Sequence, residues 1–537
     1  MIRNLASAGV ARLRGALPRP SRMVRNLASV GGGTLFSRLT GFASAIVQTA
    51  VMGAGDLSDA FFIAQRLPSS FRNIFGEGAF NAAYIPCYSE ALEREGPERA
   101  QNFASQIFTL LLVSQIAILL LAWFFTPQLV SLLAPGLDDR PEKFALVVTL
   151  TRITFPYLGC MVLFTLHQGT LNTHGRFALA AYAPSLMNVC VIAALALAFL
   201  FPNAAVVASV GFVVSGLMQL GLLMWSAHRL GLLERLAPVR WSAVAEFFKR
   251  LGPAVVGSAA GQIALFVDTI LASSLPDGGV SAIQYAERLY QLPNGLIGVA
   301  AGTVLLPEMS RRLAAGDESG AVAAQNATMA LTIAAAAPFF VAFVTLPELI
   351  VAGLFMRGKF GVVDAYASAD VLAAYGGGLL ALVLVASAKA SFQARGDTRT
   401  PMTIAFVALA VNVGLKLALF RPLGAVGLAT ATAAGFWINL AALLGLAMAR
   451  DTLRFDALFG KVLGATAAAC VALVAVTQIG RAPALALGAH FGGAANLVAL
   501  IALGFAGALA YGGALVAILR LSGVRLSNLR GARQSRA

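Results

Sequence analysis

Charge is what this sequence has least of. Of 537 residues only 12% are Asp, Glu, Lys or Arg, while 58% are hydrophobic. A soluble chain carries about 25% charged residues, so this composition cannot clothe an ordinary water-exposed surface. Cysteine is also scarce: Cys87, Cys160, Cys190 and Cys470 are scattered with no CxxC pair, which points to neither a disulfide framework nor a metal site. His167, His174, His228 and His490 are equally dispersed, so no metal and no cofactor is expected. The alternating short segments of a membrane β-barrel are missing too.

What remains is apolar and long. Runs near 20 residues recur from Gly31 to Leu519, each able to cross roughly 30 Å of hydrocarbon. The fold class is therefore an all-α polytopic membrane protein. Fourteen spans are expected, at 31–53, 57–90, 102–133, 143–171, 178–202, 204–228, 247–275, 281–310, 321–355, 365–394, 400–420, 424–449, 459–479 and 491–519. Connections are short, with no room for a soluble domain.

The net charge of +15 lies in short loops and at the two ends, without the aromatic platforms that stack bases, so nucleic acid is not an expected partner. Residues 1–25 hold six Arg and no acid, and residues 520–537 hold five Arg and no acid. Alternate loops carry about fifteen Lys/Arg against about six on the other side, which places both termini in the cytoplasm. Membrane lipids are the natural contacts of these basic ends. Met1–Gly9 (MIRNLASAG) is nearly repeated at Met23–Gly31 (MVRNLASVG), so residues 1–22 read as a dispensable basic extension.

The chain repeats itself. Pro68 and Pro293 close QRLP and YQLP, Pro86 and Pro307 close AAYIP and TVLLP, and Gly175 and Asn188 find counterparts in Gly396 and Asn412. The offsets are 225, 221, 221 and 224 residues. Two six-span lobes, 23–229 and 230–450, are thus expected about an axis along the membrane normal. Spans 13 and 14 (451–520) and a basic tail (521–537) follow. Two facing bundles suit rocking about a central cavity, the architecture of a transporter rather than an enzyme.

The second span organises this machine. Asp56 to Glu90 is apolar enough to enter a bilayer yet carries Asp59, Arg66, Arg72 and Glu77 beside Pro68 and Pro86. A charge at mid-membrane costs about 2.5–3.5 kcal/mol on insertion scales, so these side chains must face other helices or a wet cavity. Arg38 in span 1 and Arg288 in span 8, beside Glu287, join them. Arginine is a forked, permanently charged donor suited to phosphate, so Arg38, Arg72, Arg288 and Arg66 are candidate contacts for an anionic cargo. Asp59, Glu77 and Glu287 are the candidate gate or salt-bridge acids; Asp59 and Arg66, seven residues apart on one helix face, are expected to pair structurally or as a gate. A second set, Asp268, Asn412, Lys416 and Thr432, offers oxygens for an ion, but Lys416 can itself neutralise Asp268; a buried Asp–Lys pair is expected.

The runs FSRLTGF, GAGDLSDAFFIAQRLP, FRNIFGEGAFNAAYIP, QYAERLYQLPNGLIGVAAGTVLLP and RGDTRTP resemble the MurJ (MviN) family of lipid II flippases, in the multidrug/oligosaccharidyl-lipid/polysaccharide exporter superfamily. The resemblance spans Met23 to about Leu519. It implies movement of undecaprenyl-pyrophosphate-linked disaccharide pentapeptide across the bacterial inner membrane by alternating access. It also implies a lipid-tail groove at the last two helices, and cell-wall synthesis enzymes as neighbours. The family's cavity arginines match Arg38, Arg72 and Arg288, and its span 2 acid matches Asp59. One further cavity arginine is Ser44 here, and an acid after the span 8 arginine is Gln291. Relatives that bind sodium do so at positions matching Asp268, Asn412 and Thr432, but Lys416 replaces a second acid, so no sodium site is expected. The rival readings are export of another polyprenyl-linked glycan, or multidrug export from a cavity that would be acidic or apolar.

Overall fold

A computed structural model describes residues 22–74 and 78–524, and every regular element among them is helical. Glu77, the extension before Arg22 and all but the start of the tail lie outside the described residues. The first half runs α1 (Arg22–Met52), α2 (Asp56–Ile74), α3 (Phe80–Arg94), α4 (Pro97–Phe124), α5 (Thr126–Leu133), α6 (Pro141–Thr154), α7 (Pro156–Thr173), α8 (Ala178–Ala196) and α9 (Ala204–Arg229). The second half runs α10 (Trp241–Ala272), α11 (Gly279–Pro293), α12 (Val299–Ala314), α13 (Glu318–Thr345), α14 (Pro347–Phe355), α15 (Val362–Gly376), α16 (Leu379–Ala394) and α17 (Arg399–Ala449). Then come α18 (Ala457–Ala489) and α19 (Ala495–Leu521), which pack chiefly on each other.

Proline explains why several expected spans are two helices. It lacks the N–H that an interior turn needs, but suits the first turn of a new helix. Pro156 opens α7 directly after α6, and Pro347 opens α14 after α13. Pro293 ends α11, and a π-type turn at Asn294–Gly298 leads into α12.

Eleven helical stretches among the described residues are long and apolar enough to cross a membrane. The expected spans 57–90 and 247–275 are not among the eleven. The eleven count Arg399–Ala449 as one stretch, yet its backbone leaves helical geometry at Gly424 (φ 55°, ψ −129°). Nineteen helical residues would separate Asn412 from Ala431 by about 28 Å. Instead Asn412 Nδ2 donates to the Ala431 carbonyl oxygen at 2.8 Å, so the stretch folds back as a hairpin. Large apolar side chains face outward: Phe124, Phe199, Val471 and Ile479 are each at least 70% exposed. Such a surface belongs in hydrocarbon.

The internal repeat reappears in the packing. α2 lies on α6 as α11 lies on α15, α3 on α7 as α12 on α16, and α1 on α8 as α10 on α17. Left-handed glycines recur in the same loops: Gly53 and Gly278, Gly96 and Gly316, Gly175 and Gly396, with φ between 71° and 89°.

The connection between the halves is not a slack loop. Along α4, Gln101 donates to the Leu233 carbonyl oxygen at 3.0 Å, while Ser105, Thr109 and Gln106 accept from the backbone N–H groups of Arg235, Ala237 and Arg240. Three of these side chains sit four residues apart and so share one face of the helix. Glu234 is buried beneath this strap, 2.7 Å from His167 Nδ1 and 3.0 Å from Thr170 Oγ1.

Candidate functional site: an arginine-lined cavity beneath a charged lock

The two halves meet at Asp59. In the first turn of α2, it is 1% exposed, and its carboxylate accepts from Lys143 Nζ (2.9 Å), Gly278 N (2.8 Å), Ser281 N (2.8 Å) and Ser281 Oγ (2.5 Å). The two N–H groups are unpaired donors at the start of α11, where the helix dipole favours an anion. One half's acid therefore caps the other half's helix, and all its lone pairs are used. Lys143 also contacts Asp56 and Asp277, each at 2.8 Å, and Arg140 contacts Asp277 at 2.8 Å. Lys143 beside it holds the carboxyl of Asp277, in the loop before α11, below the usual carboxylate range. Around this lock Tyr285 donates to the Gly53 carbonyl oxygen (3.0 Å) and Gly136 N–H to Ser273 Oγ (3.1 Å).

The expected Asp59–Arg66 pairing is corrected here. A shared face brings two side chains together only if neither has a better partner across the interface. Lys143 and the start of α11 take Asp59, and Arg66 Nε donates to Thr269 Oγ1 at 2.6 Å.

Deeper along the same helices lies a cavity of about 430 Å³. Arg38 from α1, Arg72 from α2 and Arg288 from α11 line it, together with Gln291 and a neutral wall from α7, α8 and α9. Arg38 Nη1 donates to the Gln291 carbonyl oxygen at 3.3 Å, and its Nε is buried with no hydrogen-bond partner among the described residues. Arg72 contacts Asn73 Oδ1 at 3.4 Å and Met187 Sδ at 3.9 Å. Among the described residues no carboxylate forms an ion pair with Arg38 or Arg288. Glu287, next to Arg288, instead accepts from Gln291 Nε2 at 2.6 Å. Arg66, the fourth arginine of the sequence set, does not line this cavity. Ser44 is buried and accepts from Gln48 Nε2 at 2.8 Å.

The second candidate set divides. Lys416 Nζ lies 2.7 Å from Asp268 Oδ1, with Lys416 1% exposed. Asn412 spends its amide on Ala431, and Thr432 donates to the Leu428 carbonyl oxygen of its own helix at 3.0 Å. Both therefore donate within α17 rather than to Asp268, and no group of three His, Cys, Asp or Glu residues placed to hold a metal occurs among the described residues.

Two participants escaped the sequence reading. Lys143 opens the expected span 143–171, where a lysine normally snorkels to the interface. The acids at the other loops of this end, Asp56, Asp59 and Asp277, were the available signal that its charge would be needed. Glu234 sat in a loop read only for its basic residues.

Comparison with known proteins now decides the family. The family model described as lipid II flippase MurJ matches residues 49–507. The chain belongs to the MurJ family. A probable lipid II flippase MurJ of Rhizobium meliloti (strain 1021) is 39% identical over 430 residues, covering 78% of this chain and 79% of the relative. A lipid II flippase MurJ of Burkholderia cenocepacia is 34% identical over 434 residues, covering 79% and 84%. A solved lipid II flippase MurJ in an inward closed conformation aligns with TM-score 0.77 at 24% identity, covering 91% of this chain and 98% of that one. An inward-facing multidrug resistance MATE family transporter of the MOP superfamily aligns at 0.65 and 16% identity, covering 77% and 94%. The MurJ fold is thus shared with drug exporters, and the family assignment rests on sequence.

Proposed function

We propose that this chain is a flippase that moves lipid II from the cytoplasmic to the periplasmic leaflet of the bacterial inner membrane. The observation that carries the reading is the convergence of Arg38, Arg72 and Arg288 on one cavity. Its volume falls in the range of small-ligand sites. Guanidinium forks pair with phosphate oxygens in bidentate fashion, and a pyrophosphate supplies the charge that Arg38 and Arg288 lack from the described acids. A cationic drug would meet repulsion there.

With both termini cytoplasmic, the Asp59–Lys143 lock lies on the periplasmic side and the cavity lies beneath it. Lobes 23–229 and 230–450 rock about the central axis, with the strap at 231–240 travelling on the first. Opening outward requires Asp59 to leave the start of α11, so the lock is the outer gate. The polyprenyl tail stays in hydrocarbon. A largely apolar groove of about 570 Å³ between α12 and α13, with Glu308, Arg312 and Asp456 among its lining residues and Leu458 at the foot of α18, suits it. The Asp268–Lys416 pair replaces a sodium site, leaving membrane potential or protons as the driving force.

The test is growth of cells that depend on this protein. Arg38→Ala, Arg72→Ala and Arg288→Ala should each abolish support while folded protein persists in the membrane. Normal growth with all three would remove the cargo-site assignment.

A further inference from the structure

The arginine cavity has a second, uncharged side. The residues that α7, α8 and α9 bring to it include Thr165, Gln168, Asn188 and Gln219, and none is charged. We propose that Gln219, assisted by Thr165 and Gln168, forms a subsite for the hydroxyl- and amide-bearing sugar next to the pyrophosphate. This rests on the reading of the arginines as a pyrophosphate site.

Gln219 is the carrying observation. It lies within α9, whose sequence is otherwise apolar from Ala204 to Trp225 apart from Ser209 and Ser215. It is 1% exposed, it lines the cavity, and its Nε2 has no hydrogen-bond partner among the described residues. A buried amide N–H₂ left unpaired is costly, so it marks a place where an acceptor arrives from outside the chain. Asn188 shows the contrast on the same wall. Its Nδ2 is spent on the Ser37 carbonyl oxygen and Thr40 Oγ1, both at 3.2 Å, and ties α8 to α1.

The neighbours complete the chemistry. Thr165 Oγ1 donates to the Met161 carbonyl oxygen at 2.9 Å, which leaves its lone pairs to accept. Among the described residues Gln168 Oε1 takes only a long contact, 3.5 Å from Asn81 Nδ2. A donor, an acceptor and an amide match a sugar, whose hydroxyl and acetamido groups both donate and accept. Phosphate, which only accepts, is better served by the arginines opposite.

The experiment compares two lipids on the full-length protein in nanodiscs: undecaprenyl pyrophosphate, which lacks sugars, and lipid II, which has them. Gln219→Leu should weaken lipid II binding about three- to tenfold, one neutral hydrogen bond, and leave undecaprenyl pyrophosphate unchanged. Arg72→Ala should weaken both. Thermal stability of Gln219→Leu should be equal or higher, because an orphan donor has gone; if Leu does not fold, unbranched Met gives the same readout. Equal effects on both lipids, or none on either, would overturn the subsite and leave the pyrophosphate reading standing; that second result is what a water-filled pocket would give. A wild type that binds neither lipid would overturn both.

Discussion

The guanidinium of Arg38 lies across Gly295 so closely that a β-carbon at residue 295 would collide with its Cζ, Nη1 and Nε. Gly295 belongs to the π-type turn that follows Arg288 on the other half of the molecule. A glycine of one half therefore seats an arginine of the other. The colliding atoms are the far end of a flexible side chain, so Gly295→Ala should swing Arg38 aside rather than unfold the protein. We expect at least about a tenfold loss of lipid II flipping in proteoliposomes, as for losing a charge-assisted contact, with melting behaviour close to wild type. Wild-type flipping would show that the seat is unimportant.

The Asp59 lock makes a stability prediction. Lys143→Ala leaves a buried carboxylate with only backbone and hydroxyl donors, and removing one partner of a buried pair costs about 3–5 kcal/mol. Asp59→Asn/Lys143→Ala should cost less than the sum of its singles, because the two share one interaction. Thermal unfolding of the four proteins in detergent measures this; strict additivity would mean that the pair does not interact.

How much of this was legible in sequence depends on the range of the force involved. The all-helical fold and the recurring element pattern were readable because apolar length and proline spacing are local signals. Arg38, Arg72 and Arg288 were readable as a group because intramembrane charge is so costly that each needs a polar place. The partner of Asp59 was not, since its four donors (the Lys143 ammonium, the Gly278 and Ser281 N–H groups and the Ser281 hydroxyl) come from two distant segments and only packing decides. Gly295 and Gln219 were invisible for the same reason: one acts by what it leaves out, the other by a bond it does not make.

A loop carboxylate gives the pH test. Asp397, between α16 and α17, is held down to about 2, first by Thr400 and then by Arg450 at 2.8 Å. A depressed carboxyl stabilises the fold above its unfolded value of about 3.9, and that contribution disappears as pH falls through the folded value. The stability gap between wild type and Asp397→Asn should stay constant from about pH 7 to 5 and close between about 4 and 2. A gap that widens on acidification would contradict the assigned contacts.

The Asp268–Lys416 pair predicts indifference to sodium. Replacing Na⁺ by K⁺ should leave flipping unchanged, because Lys416 already occupies the coordination that Asp268 would offer. Strict sodium dependence would require this pair to part during transport.

The most direct measurement is the sidedness of lipid II in cells depleted of this protein, read with a probe or enzyme confined to the outer leaflet. Accumulation on the inner leaflet, reversed by the wild type and not by Arg72→Ala, is the predicted result. Unchanged sidedness in cells with no second flippase would contradict the flippase assignment and direct attention to other polyprenyl-linked glycans.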